Sequence, residues 1–204
     1  MRGTLFITGD PEADGLLNRD GTALMIGMLL DQQVPMEVAF RGPATLMARL
    51  GHLDAARIAA MSEDQFVAVC CERPAIHRFP AVMARRIHAL CIELDRHYRG
   101  RAEGVWSDVA SADELYRRLR ALPGFGDEKA RIFIAVLGKR MGVRPDGWRE
   151  AAGKFGEPTP RSVADSASPE TLAEVRTWKR AQKAAALDKQ DRPLRTPGLA
   201  PQAK

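Results

Sequence analysis

The sequence predicts an all-α protein. Apolar residues recur at helical spacing in several segments, residues that cap helix N-termini stand before these segments, and no segment shows the alternating pattern of a β-strand. Two helix starts have the form of a capping box, Ser62 with Gln65 and Ser111 with Glu114. With 204 residues, the chain is long enough for one sizeable domain or for two small lobes that share a core.

The composition is that of a globular protein with a moderate positive charge. Hydrophobic residues make up 45% of the chain, yet the longest apolar run, residues 23–30, is far shorter than a membrane span. The N-terminal apolar run is too brief for a secretory signal, so we expect a cytoplasmic protein, associated with the nucleoid if it is bacterial. The net charge of +5 is spread along the chain and permits nucleic-acid binding.

The first half of the chain predicts an arm followed by a buried central helix. Residues 1–20 are expected to form an irregular arm with a short helix near 12–17. Asp20 can cap the next helix, whose residues 23–30 are apolar on every side, as in a helix at the centre of a bundle. Pro35 follows this helix and precedes the next predicted one. Further helices are predicted, in order, at 36–40, 43–50, 53–61, 62–72 and 80–98.

The second half predicts a helical hairpin, a short helix and a basic C-terminal helix. A loop over 100–108 precedes the hairpin, which spans 112–141, and a helix is predicted at 148–154. Ser168 can cap a last helix that runs to about Leu187. Basic residues on this helix are Arg176, Lys179, Arg180 and Lys183. The main domain is therefore expected over 21–188, and the polar, proline-containing tail 189–204 is expected to be disordered.

The hairpin turn has the features of a phosphate-binding site. Pro123 ends the first helix, and Gly124 and Gly126 can adopt the positive φ of a tight turn. Phe125, between the glycines, is expected to anchor the turn to the core. A glycine-lined turn that leads into a helix N-terminus offers free N–H groups and a partial positive charge to a phosphate. A plain corner between two helices is the alternative interpretation.

Two motifs together resemble one protein family. Leu122-Pro-Gly-Phe-Gly-Asp-Glu-Lys-Ala130 is similar to the helix-hairpin-helix signature, and Gly142-Val-Arg-Pro-Asp146 follows it. This order and separation resemble the helix-hairpin-helix-Gly/Pro/Asp (HhH-GPD) superfamily of DNA glycosylases, of the endonuclease III type. The resemblance covers residues 20–155 and implies a two-lobed helical fold. It also implies a monomer that acts in base excision repair on double-stranded DNA with a damaged or mismatched base.

The resemblance carries family roles to particular residues. Laid on the endonuclease III pattern without gaps, the catalytic aspartate falls on Asp146, which would stabilise the positive charge that grows on the deoxyribose. Gln33, in Leu-Leu-Asp-Gln-Gln, takes the place of a glutamine that enters the DNA stack where the flipped base has left. The residues expected to bind DNA are Gln33, Pro123, Gly124, Phe125, Gly126 and Lys129. The alternatives are that Gln33 caps a helix end and that Asp146 caps the next helix.

No cofactor is implied for this chain. Some members of the superfamily hold an iron–sulfur cluster on four C-terminal cysteines. Here there are three cysteines, and none follows Cys91, so the resemblance is to members without the cluster. A monovalent cation at the hairpin is compatible with the motif.

Two departures from the family pattern affect the expected activity. Bifunctional members carry a lysine nucleophile two residues after the second hairpin glycine, where this chain has Glu128. Lys129 is one residue further, about 100° around the helix, and is expected to point away from the pocket. We therefore expect a monofunctional glycosylase without lyase activity. Asp127 and Glu128 also suit the helix dipole but oppose a phosphate, which favours the alternative of a non-catalytic protein that binds DNA structures or lesions.

The remaining reactive or aromatic residues are expected to be structural. The cysteines, Cys70, Cys71 and Cys91, fit buried apolar positions. The histidines are expected at the surface or at helix caps: His52, His77, His88 and His97. Tryptophans can stack on bases, but packing is the simpler interpretation for Trp106, Trp148 and Trp178.

Overall fold

A computed structural model describes residues 3–194, and the regular secondary structure of this part is helical apart from one isolated β-bridge between Leu187 and Pro193. The prediction of an all-α protein is confirmed. The α-helices of the described part are α1 (Pro11–Arg19), α2 (Gly21–Leu30), α3 (Met36–Leu50), α4 (Ala55–Ala59), α5 (Glu63–Cys71), α6 (Pro80–Tyr98), α7 (Ala112–Arg120), α8 (Asp127–Arg140), α9 (Trp148–Ala152) and α10 (Pro169–Ala184).

Helix α2 lies at the centre of the fold, as its sequence predicts. Every one of its residues is buried, because the helix has no polar side to present to water. Its N-terminus is capped by the Asp20 side chain, which accepts a hydrogen bond from Ala23 N. Gly21 N donates to Oε1 of Glu103 at 2.9 Å, so a side chain far along the sequence satisfies another amide of the first turn.

The other helices form two lobes around α2. In the first lobe, α6 packs against α4 and α5, and α3 packs against α2. In the second lobe, α8 packs against α7, α9 and a 3₁₀ turn at Val163–Asp165, to which α10 is attached. The residues before α1 join this second lobe, since Thr4 N donates to Arg140 O and Phe6 N donates to Ser166 O, whereas α1 itself packs against α3 and α2. None of the helices in residues 3–194 is long and apolar enough to cross a membrane.

Several predicted helix boundaries are wrong. The two helices predicted at 36–40 and 43–50 are one continuous helix, α3, with Pro43 inside it. Burial of Phe40, Pro43 and Leu46 along this helix offsets the backbone hydrogen bond that a proline removes. Four other helices are shorter than predicted. Helices α4 and α5 each lose residues at both ends, α9 ends at Ala152 and continues as the 3₁₀ turn Gly153–Gly156, and α10 ends at Ala184.

Tertiary packing also changes the expected environment of some side chains. His77 and His88 are buried, not at the surface, and their Nε2 atoms lie 3.0 Å from the carbonyl oxygens of Gln32 and Met61. Cys71 is only half-buried, whereas the other two cysteines are buried as predicted. Trp106 and Trp148 are packed in the core, which confirms the structural interpretation, and Trp178 is half-buried.

The segment after α10 folds back onto the second lobe. Asp191 Oδ2 accepts from Lys154 Nζ at 2.7 Å and from Arg161 Nη1 at 2.8 Å, so the disorder predicted from residue 189 onward is wrong for 189–194. The rest of the predicted tail, 195–204, lies outside the described residues. The returning segment brings Lys189 beside the N-terminus of α8.

Candidate nucleic-acid interface

The hairpin turn between α7 and α8 has the predicted anchor. Gly124 has φ +80°, the left-handed conformation that glycine adopts at little cost, whereas Gly126 is extended at φ −67° and precedes the first residue of α8. Phe125 is buried, with its ring edge-on to Phe133 at 5.6 Å between centroids. Its side chain therefore belongs to the core, and any contact that this residue makes with DNA is made by its backbone. Gly124 and Gly126 are exposed, and Pro123 is half-buried.

The N-terminus of α8 offers amides to a phosphate. The first N–H groups of a helix have no acceptor within it. Ala130 N is the first to donate into this helix, to Gly126 O, and no side chain within residues 3–194 caps this end. A phosphate site at these amides stays a prediction.

Both acidic residues at the hairpin exit are paired. The Asp127 carboxylate accepts from the Tyr116 hydroxyl at 2.6 Å and from Arg131 Nε at 2.9 Å, and these groups hold the pKa of Asp127 below its usual value. Glu128 lies 3.5 Å from Nζ of Lys189. The repulsion of a DNA phosphate that these acids suggest is therefore largely compensated.

Lys129 points toward the end of α2. Its Nζ donates to Leu29 O at 2.9 Å, and burial lowers the pKa of the Lys129 amine to about 8 despite the opposing effect of Asp31. The hairpin lies against the same part of α2, because a Cβ at Gly124 would be 3.3 Å from Leu29 Cδ1. With its amine bound inside the protein, Lys129 is not placed as the free cationic DNA contact that the sequence predicts.

The two glutamines after α2 differ in their roles. The Gln32 side chain is fixed, since its Nε2 donates to Leu29 O at 2.8 Å and its Oε1 accepts from Arg86 Nη1 at 2.7 Å. Gln33 is exposed and adopts φ +56°, and within residues 3–194 no hydrogen bond involves its side chain. It is therefore the side chain of Gln32, and not that of Gln33, that caps the end of α2. The side chain of Gln33 remains free to contact a ligand.

A cleft opens beside Gln33. It has a volume of about 760 Å³ and lies between the end of α2, the start of α3 and the basic face of α10. We call it the α2–α10 cleft. Its lining residues are Asp31, Gln32, Gln33, Val34, Pro35, Met36, Glu37, Arg176, Lys179, Arg180 and Lys189.

Asp146 lies away from this cleft. Its carbonyl oxygen accepts from Ala112 N at the start of α7, and the Trp148 ring covers Gly138 near the end of α8. The hairpin turn is at the other end of both helices, roughly 16 Å along α8 at 1.5 Å per residue. The expectation that Asp146 and the hairpin face one cleft is wrong. Asp146 is exposed, and among the described residues no side chain caps α9. A catalytic role for Asp146 stays a prediction from the family pattern.

A comparison with protein families shows to which family this chain belongs. The model of the HhH-GPD superfamily base excision DNA repair proteins matches residues 26–190, which include the Gln33 loop, the hairpin and α10. The chain belongs to the HhH-GPD superfamily of base excision DNA repair proteins. Neither the curated proteins nor the solved structures give a significant match.

The HhH-GPD match extends well beyond the predicted range of 20–155 and takes in the C-terminal helix. The family acts in DNA repair, so DNA is the expected ligand of this protein. Sequence reasoning did not predict that Asp31 or the cations of α10 and Lys189 line the cleft. The sequence feature that indicates such a lining is the row of basic residues on the last helix. In residues 3–194, no group of three or more His, Cys, Asp or Glu residues could hold a metal ion.

Proposed function

We propose that this HhH-GPD protein is a monofunctional DNA glycosylase, which hydrolyses the N-glycosidic bond of a damaged or mismatched base flipped into the α2–α10 cleft. The observation that carries the proposal is the meeting of three elements at Leu29. Gly124 of the hairpin packs on its side chain, Lys129 binds its carbonyl oxygen, and Gln33 follows four residues later. The hairpin that would bind the DNA backbone, the residue that would fill the gap in the base stack and the cavity that would receive the base are therefore adjacent.

The dimensions and the polarity of the site suit base flipping. The cleft, of about 760 Å³, has room for a base and its sugar. Extruding the base costs roughly a few kcal/mol, and the free side chain of Gln33 can occupy the gap that is left in the stack. The hairpin amides would hold the phosphate backbone beside that gap. On this proposal the protein acts as a monomer, in the compartment that holds the DNA.

Hydrolysis needs a carboxylate near C1′ to stabilise positive charge and to orient the attacking water. The family pattern assigns this role to Asp146. We favour Asp31, because it lines the cleft beside Gln33 and faces the positive charges of Lys129 and Lys179. Asp146 is the competing assignment, and the two carboxylates can be tested separately.

One observation favours a lyase as a second candidate. The Lys129 amine, with a pKa of about 8, has a larger neutral fraction near pH 8 than an ordinary lysine and could form a Schiff base with an abasic sugar. Against this, the amine is bound to Leu29 O, and Lys129 is not among the cleft-lining residues. We therefore propose that water is the nucleophile. Borohydride should trap no covalent protein–DNA adduct; an adduct that disappears in Lys129→Ala would establish the lyase.

The proposal is tested with duplexes that each contain one uracil, oxidised, alkylated or mismatched base, treated with alkali after single-turnover reaction. Wild-type protein should release at least one of these bases. Asp31→Asn should slow excision by on the order of a hundredfold or more while DNA binding is kept. Asp146→Asn should leave excision nearly unchanged.

The opposite outcome for the two variants would move the catalytic role to Asp146. DNA binding without product on any duplex would favour the non-catalytic lesion-binding alternative. The separation of Asp146 from the hairpin is the observation that favours that alternative.

A further inference from the structure

The charges that line the α2–α10 cleft indicate which bases it accepts. We infer that the cleft selects an uncharged base with exposed carbonyl oxygens and rejects a base that alkylation has made cationic. This inference rests on the proposed function, in which the cleft receives the flipped base.

Most charges at the cleft compensate one another. Arg176 pairs with Glu37 at 2.5 Å, and Lys189 lies 3.5 Å from Glu128. The remaining carboxylate of the lining, Asp31, faces the amine of Lys129, which lies behind the cleft wall, and the amine of Lys179. The lining carries four cationic side chains, three of them on α10, and two carboxylates, so a ligand meets a net positive charge.

Two cations of α10 remain without a carboxylate partner within residues 3–194. The Lys179 amine contacts only the sulfur of Met36, at 3.4 Å, and a thioether is a weak acceptor. Arg180 Nε reaches the carbonyl oxygen of Arg176 at 3.4 Å. Burial lowers the pKa of Lys179, so its amine has lost part of its hydration without gaining a strong acceptor in exchange. A carbonyl oxygen of a base would supply that acceptor, whereas a cationic base would be repelled.

In the described part of the chain, the cleft also lacks the groups that bind a cationic base. Recognition of organic cations relies on aromatic faces or on excess negative charge. Within residues 3–194 no aromatic side chain lines the cleft, and its apolar surface comes from Val34, Pro35 and Met36. These side chains can pack on the face of any base but do not favour a positive charge.

Binding can be measured without excision. The probes are duplexes that carry one 2′-fluoro nucleotide, whose glycosidic bond resists cleavage, with uracil, hypoxanthine or 7-methylguanine as the base. We expect the two neutral, carbonyl-bearing bases to bind at least about tenfold more tightly than cationic 7-methylguanine at one fixed salt concentration. Lys179→Met should reduce this preference severalfold or abolish it.

Lys183→Met is the matched control, because Lys183 is on the same helix but does not line the cleft. Both variants remove one positive charge and should weaken general DNA binding alike. Only Lys179→Met should change the ratio between the probes. Equal or tighter binding of 7-methylguanine, or the same ratio in wild type and Lys179→Met, would overturn the inference.

Failure of the inference is distinct from failure of the proposed function. Excision confined to alkylated bases would overturn the inference and leave the glycosylase intact. A preserved binding preference without excision of any cleavable base would overturn the glycosylase and support the selectivity of the cleft.

Discussion

The ammonium group of Lys129 donates a 2.9 Å hydrogen bond to the carbonyl oxygen of Leu29, a residue 100 positions earlier in the chain. The same oxygen accepts from Gln32 Nε2 at 2.8 Å. One carbonyl at the end of α2 therefore holds both the first turn of the hairpin helix and the loop that carries Gln33. This shared contact fixes the distance between the two elements that are expected to meet the DNA.

The buried amine of Lys129 should make stability depend on pH. Its pKa of about 8 in the folded protein is below the ordinary 10.5, so the unfolded chain binds more protons between these values. Stability from this group therefore rises from about pH 8 to 10.5. Relative to Lys129→Met, the wild-type free energy of unfolding should increase by up to about 3 kcal/mol over that range. Urea denaturation at several pH values measures this, and a difference that stays constant would contradict it.

The left-handed backbone of Gln33 gives a prediction that separates folding from function. At φ +56° a side chain costs roughly 1 kcal/mol relative to glycine. Gln33→Gly should therefore be more stable than Gln33→Ala, as measured by thermal denaturation. Because both variants lack the amide, both should lose the same affinity for lesion-containing duplex. If both variants kept wild-type affinity and wild-type excision, Gln33 would not be part of the DNA-binding site.

The pairing of Glu128 with Lys189 should restrain DNA binding. Glu128→Gln removes a negative charge beside the hairpin amides and releases the lysine for a phosphate, so DNA affinity should rise severalfold. The slope of log K against log salt should steepen by about 0.9, the value for one added phosphate contact. Titrations at several salt concentrations test this, with Glu12→Gln, on the exposed first turn of α1, as the control. An unchanged slope would show that Lys189 does not reach the DNA.

Arg49 should be important for stability. Its guanidinium donates to the carbonyl oxygens of Val69, Glu72 and Pro74 at 2.7, 3.0 and 2.6 Å, and so joins the end of α3 to the end of α5. Arg49→Met leaves these acceptors without their charged donor and should lower the free energy of unfolding by about 2–3 kcal/mol.

Arg96→Met serves as the comparison for this stability measurement. Arg96 is an exposed arginine in an ion pair with Glu93, and its replacement should cost less than about 1 kcal/mol. Equal losses in the two variants, measured by urea denaturation, would contradict the role of Arg49.

The sequence by itself determined the helical class, the family and the local chemistry of the hairpin. Ser62, Ser111 and Ser168 each accept the predicted hydrogen bond at the start of a helix, because a cap depends on residues three positions apart. Helix α2 is apolar on every side, so it had to lie at the centre of the fold. The buried Phe125 followed from the turn residues around it. These features are local, and short-range geometry decides them.

Only the tertiary structure decided which side chains meet in the cleft. Motif spacing predicted that Asp146 belongs with the hairpin, but spacing counts residues along the chain, and the packing of Trp148 over Gly138 holds the following loop at the far end of α8. The direction of Lys129 likewise depends on where the carbonyl oxygen of Leu29 lies. Lys179 and Lys189 reach the cleft because α10 and the segment after it fold back across the second lobe. Contacts between distant segments depend on how whole helices pack, and no local pattern in the sequence specifies that packing.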